Sequence, residues 1–351
     1  MKTIHVTASK CYDVLVGSGL LGSLGSLTRE VTQAKKALIV SDSNVAPLYS
    51  ETVHRQLEAV GMEVAPDFVF PAGEESKCGS TYLRLLEHLA ANQLTRSDCV
   101  FALGGGVVGD LTGFAAATYL RGIAFIQIPT TLLAAVDSSV GGKTAIDLEA
   151  GKNLAGAFYQ PSLVLCDLDT LDTLPETVFR DGCAEVIKYG VLYDESLFSH
   201  LKQYSPGFDR EAVIARCVEL KRDVVARDEF DRGERMKLNL GHTIGHGVEA
   251  ASGFQISHGR AVGIGMAIVS RAAAKRGICP ADAAEEILST LAAFGLDTKT
   301  EYPAQTLYTY ALSDKKRSGG TVSLIVPERV GDCGIYPTPV EHLQAFIEEG
   351  L

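Results

Sequence analysis

The chain has no Cys-x-x-Cys pair, no excess of positive charge, few prolines and no long apolar run, and each absence closes off a class of function. Its eight cysteines (Cys11, Cys78, Cys99, Cys166, Cys183, Cys217, Cys279 and Cys333) stand singly. That excludes a zinc ribbon and a dithiol redox motif, and it suits a reducing compartment. With 43 acidic against 32 basic residues the formal charge is −11, so neither a nucleic-acid surface nor an anionic-membrane binder is expected. No stretch approaches the roughly 18 uninterrupted apolar residues of a spanning helix. The opening residues Met1 to Lys10 also lack the apolar core of a secretory signal. A cytoplasmic protein is expected, with no membrane and no nucleic-acid partner. Only 12 prolines against 35 glycines, with 46% hydrophobic and 21% charged residues, describe an ordinary globular chain with glycine to spare for tight turns.

What is present is organised in two parts, as the 351 residues suggest. From Ala37 to about Cys166, short apolar runs at 37–43, 64–71, 99–106, 124–131 and 162–169 alternate with helical patterns such as Ser80–Gln93. Continuous apolar strands alternating with helices predict a parallel sheet covered on both faces. Beyond about Leu171 the pattern turns helical. Thr173 and Glu176 have capping-box spacing, stripes of apolar residues run along 209–227, 261–276 and 281–294, and 321–327 reads as one late strand. The predicted boundary falls near residues 168–175.

Three constellations carry chemistry. Gly104 to Asp110 follows a strand and opens an apolar helix, the context in which backbone N–H groups cradle a phosphate. No acidic residue ends the next strand, so an ordinary dinucleotide fingerprint fits poorly, and a glycine turn needed only for close packing is the plain alternative. Gly141-Gly-Lys143-Thr resembles the end of a phosphate-binding loop but has Asp137 where the first glycine belongs. With Lys152 and Asn153 nearby, it reads as an anion site rather than solvated surface lysines. Last come Glu185 and Lys188, then His242 and His246 inside 239–246, then His258. The i, i+4 spacing of His242 and His246 makes them the first choice of ligands on helix geometry alone. Glu185 and Lys188 could equally be a surface pair, and each histidine a satisfied core residue. Together a carboxylate and several imidazoles supply a catalytic divalent-metal site, with Asp137 and His246 as proton-transfer candidates.

The blocks GGGVVGDLTGFAAATYLRG, FIQIPTTLLAAVDSSVGGKTAID, GKNLAGAFYQP, AEVIKYG and LNLGHTIGH, taken together, resemble the 3-dehydroquinate synthases, within the sugar phosphate cyclases. The resemblance runs from about Lys36 to the Asp314-Lys-Lys316 segment. It implies an α/β, Rossmann-like nucleotide-binding N-terminal domain (1–170) and a mainly α-helical metal- and substrate-binding C-terminal domain (171–351), the dehydroquinate synthase-like fold. It implies NAD and one divalent metal, zinc or else cobalt, and as substrate the acidic sugar phosphate 3-deoxy-D-arabino-heptulosonate 7-phosphate. The implied metal ligands are Glu185, His242 and His258, with His246 left for proton transfer and phosphate contact. Implied NAD contacts are Asp42, Asn44, Glu74, Lys77, Gly105, Gly106, Val107, Val108, Gly109, Asp110, Thr130, Thr131, Lys143, Lys152 and Thr170, Leu171, Asp172 and Thr173. Implied substrate contacts are Asp137, Lys143, Asn153, Lys188, Lys221, Arg235, Asn239, His246 and Lys315 or Lys316, with Arg121 supplied by the second subunit of a homodimer.

The resemblance also implies the chemistry: transient oxidation by NAD, phosphate elimination, re-reduction and an intramolecular aldol closure, in the shikimate route to aromatic amino acids and chorismate. Arg260, following His258, stands where a glutamate is expected, which puts local tuning in doubt but not the ligand set. Two rivals share the fold and cofactors. An inosose or valiolone synthase would act on a neutral sugar phosphate, against which Lys221 and Arg235 argue. A polyol dehydrogenase would release NADH.

Overall fold

The computed structural model describes residues 1–351 except 204, 206 and 316–319, and except the side chains of 312–315. The phosphate contact expected at Lys315 or Lys316 therefore lies outside the described residues. The chain opens with β1 (Lys2–Val6), β2 (Tyr12–Gly17), α1 (Leu24–Val31), β3 (Lys36–Asp42) and α2 (Ala46–Ala59). It goes on through β4 (Glu63–Val64), β5 (Phe68–Phe70), α3 (Gly79–Ala91), β6 (Cys99–Gly104), α4 (Gly106–Thr118) and β7 (Ala124–Pro129). A hairpin of β8 (Lys143–Leu148) and β9 (Gly151–Phe158) precedes β10 (Leu163–Asp167). Then come α5 (Glu176–Tyr193), α6 (Glu195–Gln203) and α7 (Arg210–Arg227). The remainder is α8 (His242–Ala251), α9 (His258–Lys275), α10 (Ala281–Ala293), α11 (Ala304–Lys315), β11 (Thr321–Arg329), β12 (Asp332–Pro339) and α12 (Val340–Gly350).

The first unit comprises Met1–Pro175 together with Arg210–Phe230. Its sheet runs β1-β2-β10-β7-β6-β3-β4, with β5 also on β3, and every pairing but β1 with β2 is parallel. Alternate residues of one strand feed opposite cores. Ile39 joins Leu24, Val53 and Leu57 under α1 and α2, whereas Leu38 and Val40 join Leu85, Leu89 and Leu111 under α3 and α4. Such double burial is why these strands read as unbroken apolar runs.

The division of the chain differs from the single cut expected at 170/171. α7 belongs to the first unit, because its apolar stripe packs on β1, β2 and the turn Ala134–Ser138. Other expectations need amendment too. The run at 64–71 splits into β4 and β5, and the hairpin β8–β9 and strands β1 and β2 arise where no strand was read. Thr173 does not open a helix: it ends the 3-10 turn Leu168–Thr173 and donates to Thr170 O at 3.0 Å, and α5 starts only at Glu176.

The second unit, Glu176–Asp209 with Asp231–Leu351, is helical around α9, which packs against α5, α8, α10 and α12. The late strand is one arm of the antiparallel hairpin β11–β12. Among the described residues, no helix is long and apolar enough to cross a membrane.

Candidate active site

In the second unit α5 carries Glu185 into the interior, where it is 0% exposed, and α9 opens on His258. The two helices meet because the residue after His258 is Gly259, whose Cβ, were there one, would stand 1.9 Å from Asp181 O. On its other side α9 meets α8 in the same way: a Cβ on Gly265 would lie 2.0 Å from Gly241 O. The glycines that make poor helix formers beside the histidines are where backbones touch.

This packing places Nε2 of His242 and Nε2 of His258 each 3.5 Å from Oε1 of Glu185, with the candidate ligand atoms of all three within 4.8 Å of one another. Nitrogen and oxygen ligands about 2.0–2.1 Å from a tetrahedral zinc are about 3.3–3.4 Å apart, so the spacing is close to one edge of such a polyhedron. Both rings are aimed from behind. His242 Nδ1 lies 3.0 Å from Leu240 O, and His258 Nδ1 lies 3.5 Å from Oε2 of Glu249. Partners on Nδ1 leave Nε2 to face a metal. Burial, then the neighbouring Lys188 ammonium, push His242 down to about 3, so its ring is neutral. Burial would lower His258 as well, but hydrogen bonds to Glu185 and Glu249 outweigh it and raise the imidazole to about 10. A metal ion binding there displaces that proton.

His246 stands one turn beyond His242 on α8, its ring 5.6 Å from that of His242 and 6.1 Å from that of His258. With Glu249 and His258 it forms a second group able to hold a metal. We take the first group as the candidate centre, because it has the fully buried carboxylate and both its rings are backed at Nδ1. Glu249 is the residue sequence reasoning missed. Its signal was a carboxylate one helical turn beyond His246.

Lys188, one turn after Glu185, is 1% exposed and its Nζ pairs with Glu185 Oε2. Arg235, 2% exposed, lies on the 3-10 turn Glu234–Asn239 that packs against α5 and also bears Asn239. Their buried positive charge suits an anionic ligand.

In the first unit Asp137 lies on the π-helical turn Ala134–Ser138, and Lys221 of α7 donates both to its carboxylate and to its carbonyl oxygen, the latter at 2.6 Å. Gly105 is the residue before α4, and a Cβ on it would come within 3.1 Å of Thr131. Thr130 N–H donates to Gly104 O at 3.0 Å. Gly105 to Asp110, Thr130 and Thr131 are thereby brought together. Asp42 accepts from the N–H groups of Asn44 and Val45 where α2 begins, and Tyr49 of α2 reaches Thr173 Oγ1 at 2.5 Å, which draws the turn bearing Thr170, Leu171 and Asp172 to the same helix. Asp172 itself pairs with Arg210 at 2.5 Å. Lys143 opens β8, Lys152 and Asn153 open β9, and Lys152 lies 3.8 Å from Glu74. Lys77 meets Glu74, Asp110 and Asn153. Arg121 stands apart, on an exposed turn in left-handed backbone at φ 68°.

Residues 67–181 match the family profile described as 3-dehydroquinate synthase N-terminal, and 182–317 the one described as 3-dehydroquinate synthase C-terminal. A 3-dehydroquinate synthase of Streptococcus suis is 43% identical over 344 residues, covering 96% of this chain and 97% of that protein. The chain belongs to the 3-dehydroquinate synthase family. Solved structures with the same architecture include a 2-deoxy-scyllo-inosose synthase complexed with carbaglucose-6-phosphate, NAD+ and Co2+ (TM-score 0.90, 26% identity, 100% of both chains). A 2-epi-5-epi-valiolone synthase from Streptomyces hygroscopicus with NAD+ and Zn2+ matches at 0.88 and 26%, over 98% of each chain.

The residues of this synthase-family chain fit both kinds of group. The carboxylate and two imidazoles form a three-ligand donor set, the kind that holds a catalytic zinc. The first N–H groups of α4, after a glycine turn, have no carbonyl of their own helix to bond, and such donors take a pyrophosphate. Arg260, the departure from the family pattern, turns outward. Its Nε and NH2 donate to Asp297 Oδ2 at 2.8 and 2.5 Å, about half exposed on both sides.

Proposed function

We propose that this chain is a 3-dehydroquinate synthase, a carbon–oxygen lyase that converts 3-deoxy-D-arabino-heptulosonate 7-phosphate to 3-dehydroquinate and phosphate in the shikimate pathway. The observation that carries this reading is the Glu185–His242–His258 group, backed by Glu249 and flanked by buried Lys188, in a chain of this family. Glu185, His242 and His258 hold the metal. The α4 turn, with Asp42, Asn44, Glu74, Thr130, Thr131, Lys143, Lys152 and the Thr170–Thr173 turn, binds NAD. When bound, NAD supplies a reversible hydride acceptor and the divalent ion, zinc or cobalt, a Lewis acid for the alcohol oxygen.

The chain's own groups do the rest. Lys188, Arg235, Lys143, Asn153 and Asn239 bind the carboxylate and phosphate, and they stabilise the anionic charge that grows as phosphate leaves. His246 moves protons near the phosphate. Asp137, which accepts from Lys221 Nζ, moves protons at the carbon skeleton. We place the enzyme in the cytoplasm as a homodimer in which each copy lends Arg121 to the other.

The nearest alternative is a synthase that cyclises a neutral sugar phosphate, as the inosose synthase neighbour suggests. Against it stand 43% identity to a relative named 3-dehydroquinate synthase, compared with 26% to that neighbour, and more cations than a substrate with a phosphate but no carboxylate needs. The deciding assay follows phosphate release from the acidic heptulosonate phosphate and from glucose 6-phosphate, with NADH monitored. Release from the first alone, without net NADH, supports the proposal. Release from the second, or sustained NADH without phosphate, refutes it.

A further inference from the structure

Ser257 precedes α9 in extended backbone (φ −66°, ψ 159°), the place of a side-chain cap, yet its hydroxyl makes no bond to the turn that follows. It donates instead to Oδ1 of Asp181, on α5, at 2.5 Å, and the same oxygen accepts the backbone N–H of Arg260 at 3.0 Å. A serine before a helix ordinarily accepts from the second or third N–H itself. Here the N–H of the third residue of α9 is capped by a carboxylate from another helix, at the end where the helix dipole favours negative charge.

The carbonyl of the same residue meets the same turn, for it is Asp181 O that a Cβ on Gly259 would approach to 1.9 Å. Both ends of Asp181 therefore face the first turn of α9, the turn that opens on His258. On α5, Asp181 stands four residues before Glu185 and so on the same side of the helix. The bond from Arg260 N–H to Asp181 and the 3.5 Å approach of His258 Nε2 to Glu185 Oε1 are two rungs between the same pair of helices. Only the backbone of Arg260 serves here, since its side chain goes to Asp297.

We propose that Asp181 is a positioning residue of the metal centre: by capping α9 from α5 it sets His258 beside the Glu185 carboxylate before an ion binds. The proposal rests on the reading above that Glu185, His242 and His258 hold the metal. Without the cap the first turn of α9 frays, and an arriving ion has to order it at the expense of affinity.

Zinc affinity of the full chain with NAD bound, read by competition with a chelator, tests this. Asp181→Ala should bind zinc about tenfold more weakly, the order lost when a residue that orients a ligand is removed. Asp181→Asn, whose amide oxygen accepts from the same N–H and hydroxyl, should stay within about twofold of the wild type. Asp194→Ala serves as the comparison for a general loss of stability, because it takes the side-chain acceptor from Leu197 N–H in the first turn of α6; it should bind zinc as the wild type does. Wild-type affinity in Asp181→Ala overturns the proposal, as does an asparagine variant as weak as the alanine one, or an Asp194→Ala weakened as much. Should Asp181→Ala fail to fold, hydrogen exchange in the metal-free wild type decides. An Arg260 N–H protected without the ion supports the proposal, and protection gained only with zinc overturns it. A wild-type chain that binds no zinc sinks the reading of the metal centre and this proposal with it, whereas a zinc-binding wild type matched by Asp181→Ala sinks this proposal alone.

Discussion

Oε2 of Glu249 stands 3.5 Å behind Nδ1 of His258. A carboxylate in that place fixes the ring and makes its other nitrogen a better donor to a metal. Since Glu249 is on α8, that helix serves the centre twice, once through His242 and once through the carboxylate backing a histidine on α9. Glu249→Gln keeps the shape and removes the charge. It should weaken zinc binding about 10–100-fold, read by competition with a chelator, with phosphate release recovered at saturating zinc. Wild-type affinity in that variant would show the carboxylate to be idle.

His258→Ala removes one donor of the candidate centre. The purified variant should carry no stoichiometric metal and release no phosphate, while calorimetry still detects NAD binding to the first unit. Full activity with one metal per chain would refute the assignment.

Gly259→Ala tests the close approach of α5 and α9. A methyl group 1.9 Å from Asp181 O forces the backbones apart, at a cost of about 1–3 kcal/mol. The melting temperature and the metal content should both fall, because the same approach sets Glu185 beside His258. A variant that melts with the wild type and keeps its metal would mean that the two helices part without consequence.

Arg260→Ala should do little. The pair with Asp297 is about half exposed, and such pairs contribute about 0–1 kcal/mol. Thermal unfolding and kcat/KM are expected to stay near wild type. A large loss of metal would place Arg260 in the centre after all.

The sequence was most legible where one physical rule acts alone. β3, β6, β7 and β10 are buried on both faces and announce themselves as apolar runs. β1 lies at the sheet edge with exposed and buried residues mixed, and β9 exposes residues along its length, so neither carries that signal. Helix periodicity sees a single helix, and for that reason it pairs His242 with His246. The grouping of His242 with His258 and Glu185 depends on three helices meeting through Gly259 and Gly265, which no local spacing encodes. The family resemblance named those residues but gave no part to Glu249, whose role depends on what stands next to it in space. Thr173 misled for a related reason: its hydroxyl had a nearer carbonyl, that of Thr170, than any helix end.

Neither unit is one stretch of chain, for the polypeptide passes from one to the other after Pro175, after Asp209 and after Phe230. During synthesis the sheet of the first unit therefore emerges long before it can be finished. Strands β1 and β2, the earliest made, wait for α7, and Asp137 waits for Lys221. A gene fragment ending at Pro175 would encode every strand of that sheet and still leave the berth of α7 bare. The order of translation thus keeps the carboxylate at Asp137 without its cation until the whole of α5, with Glu185, has already been made.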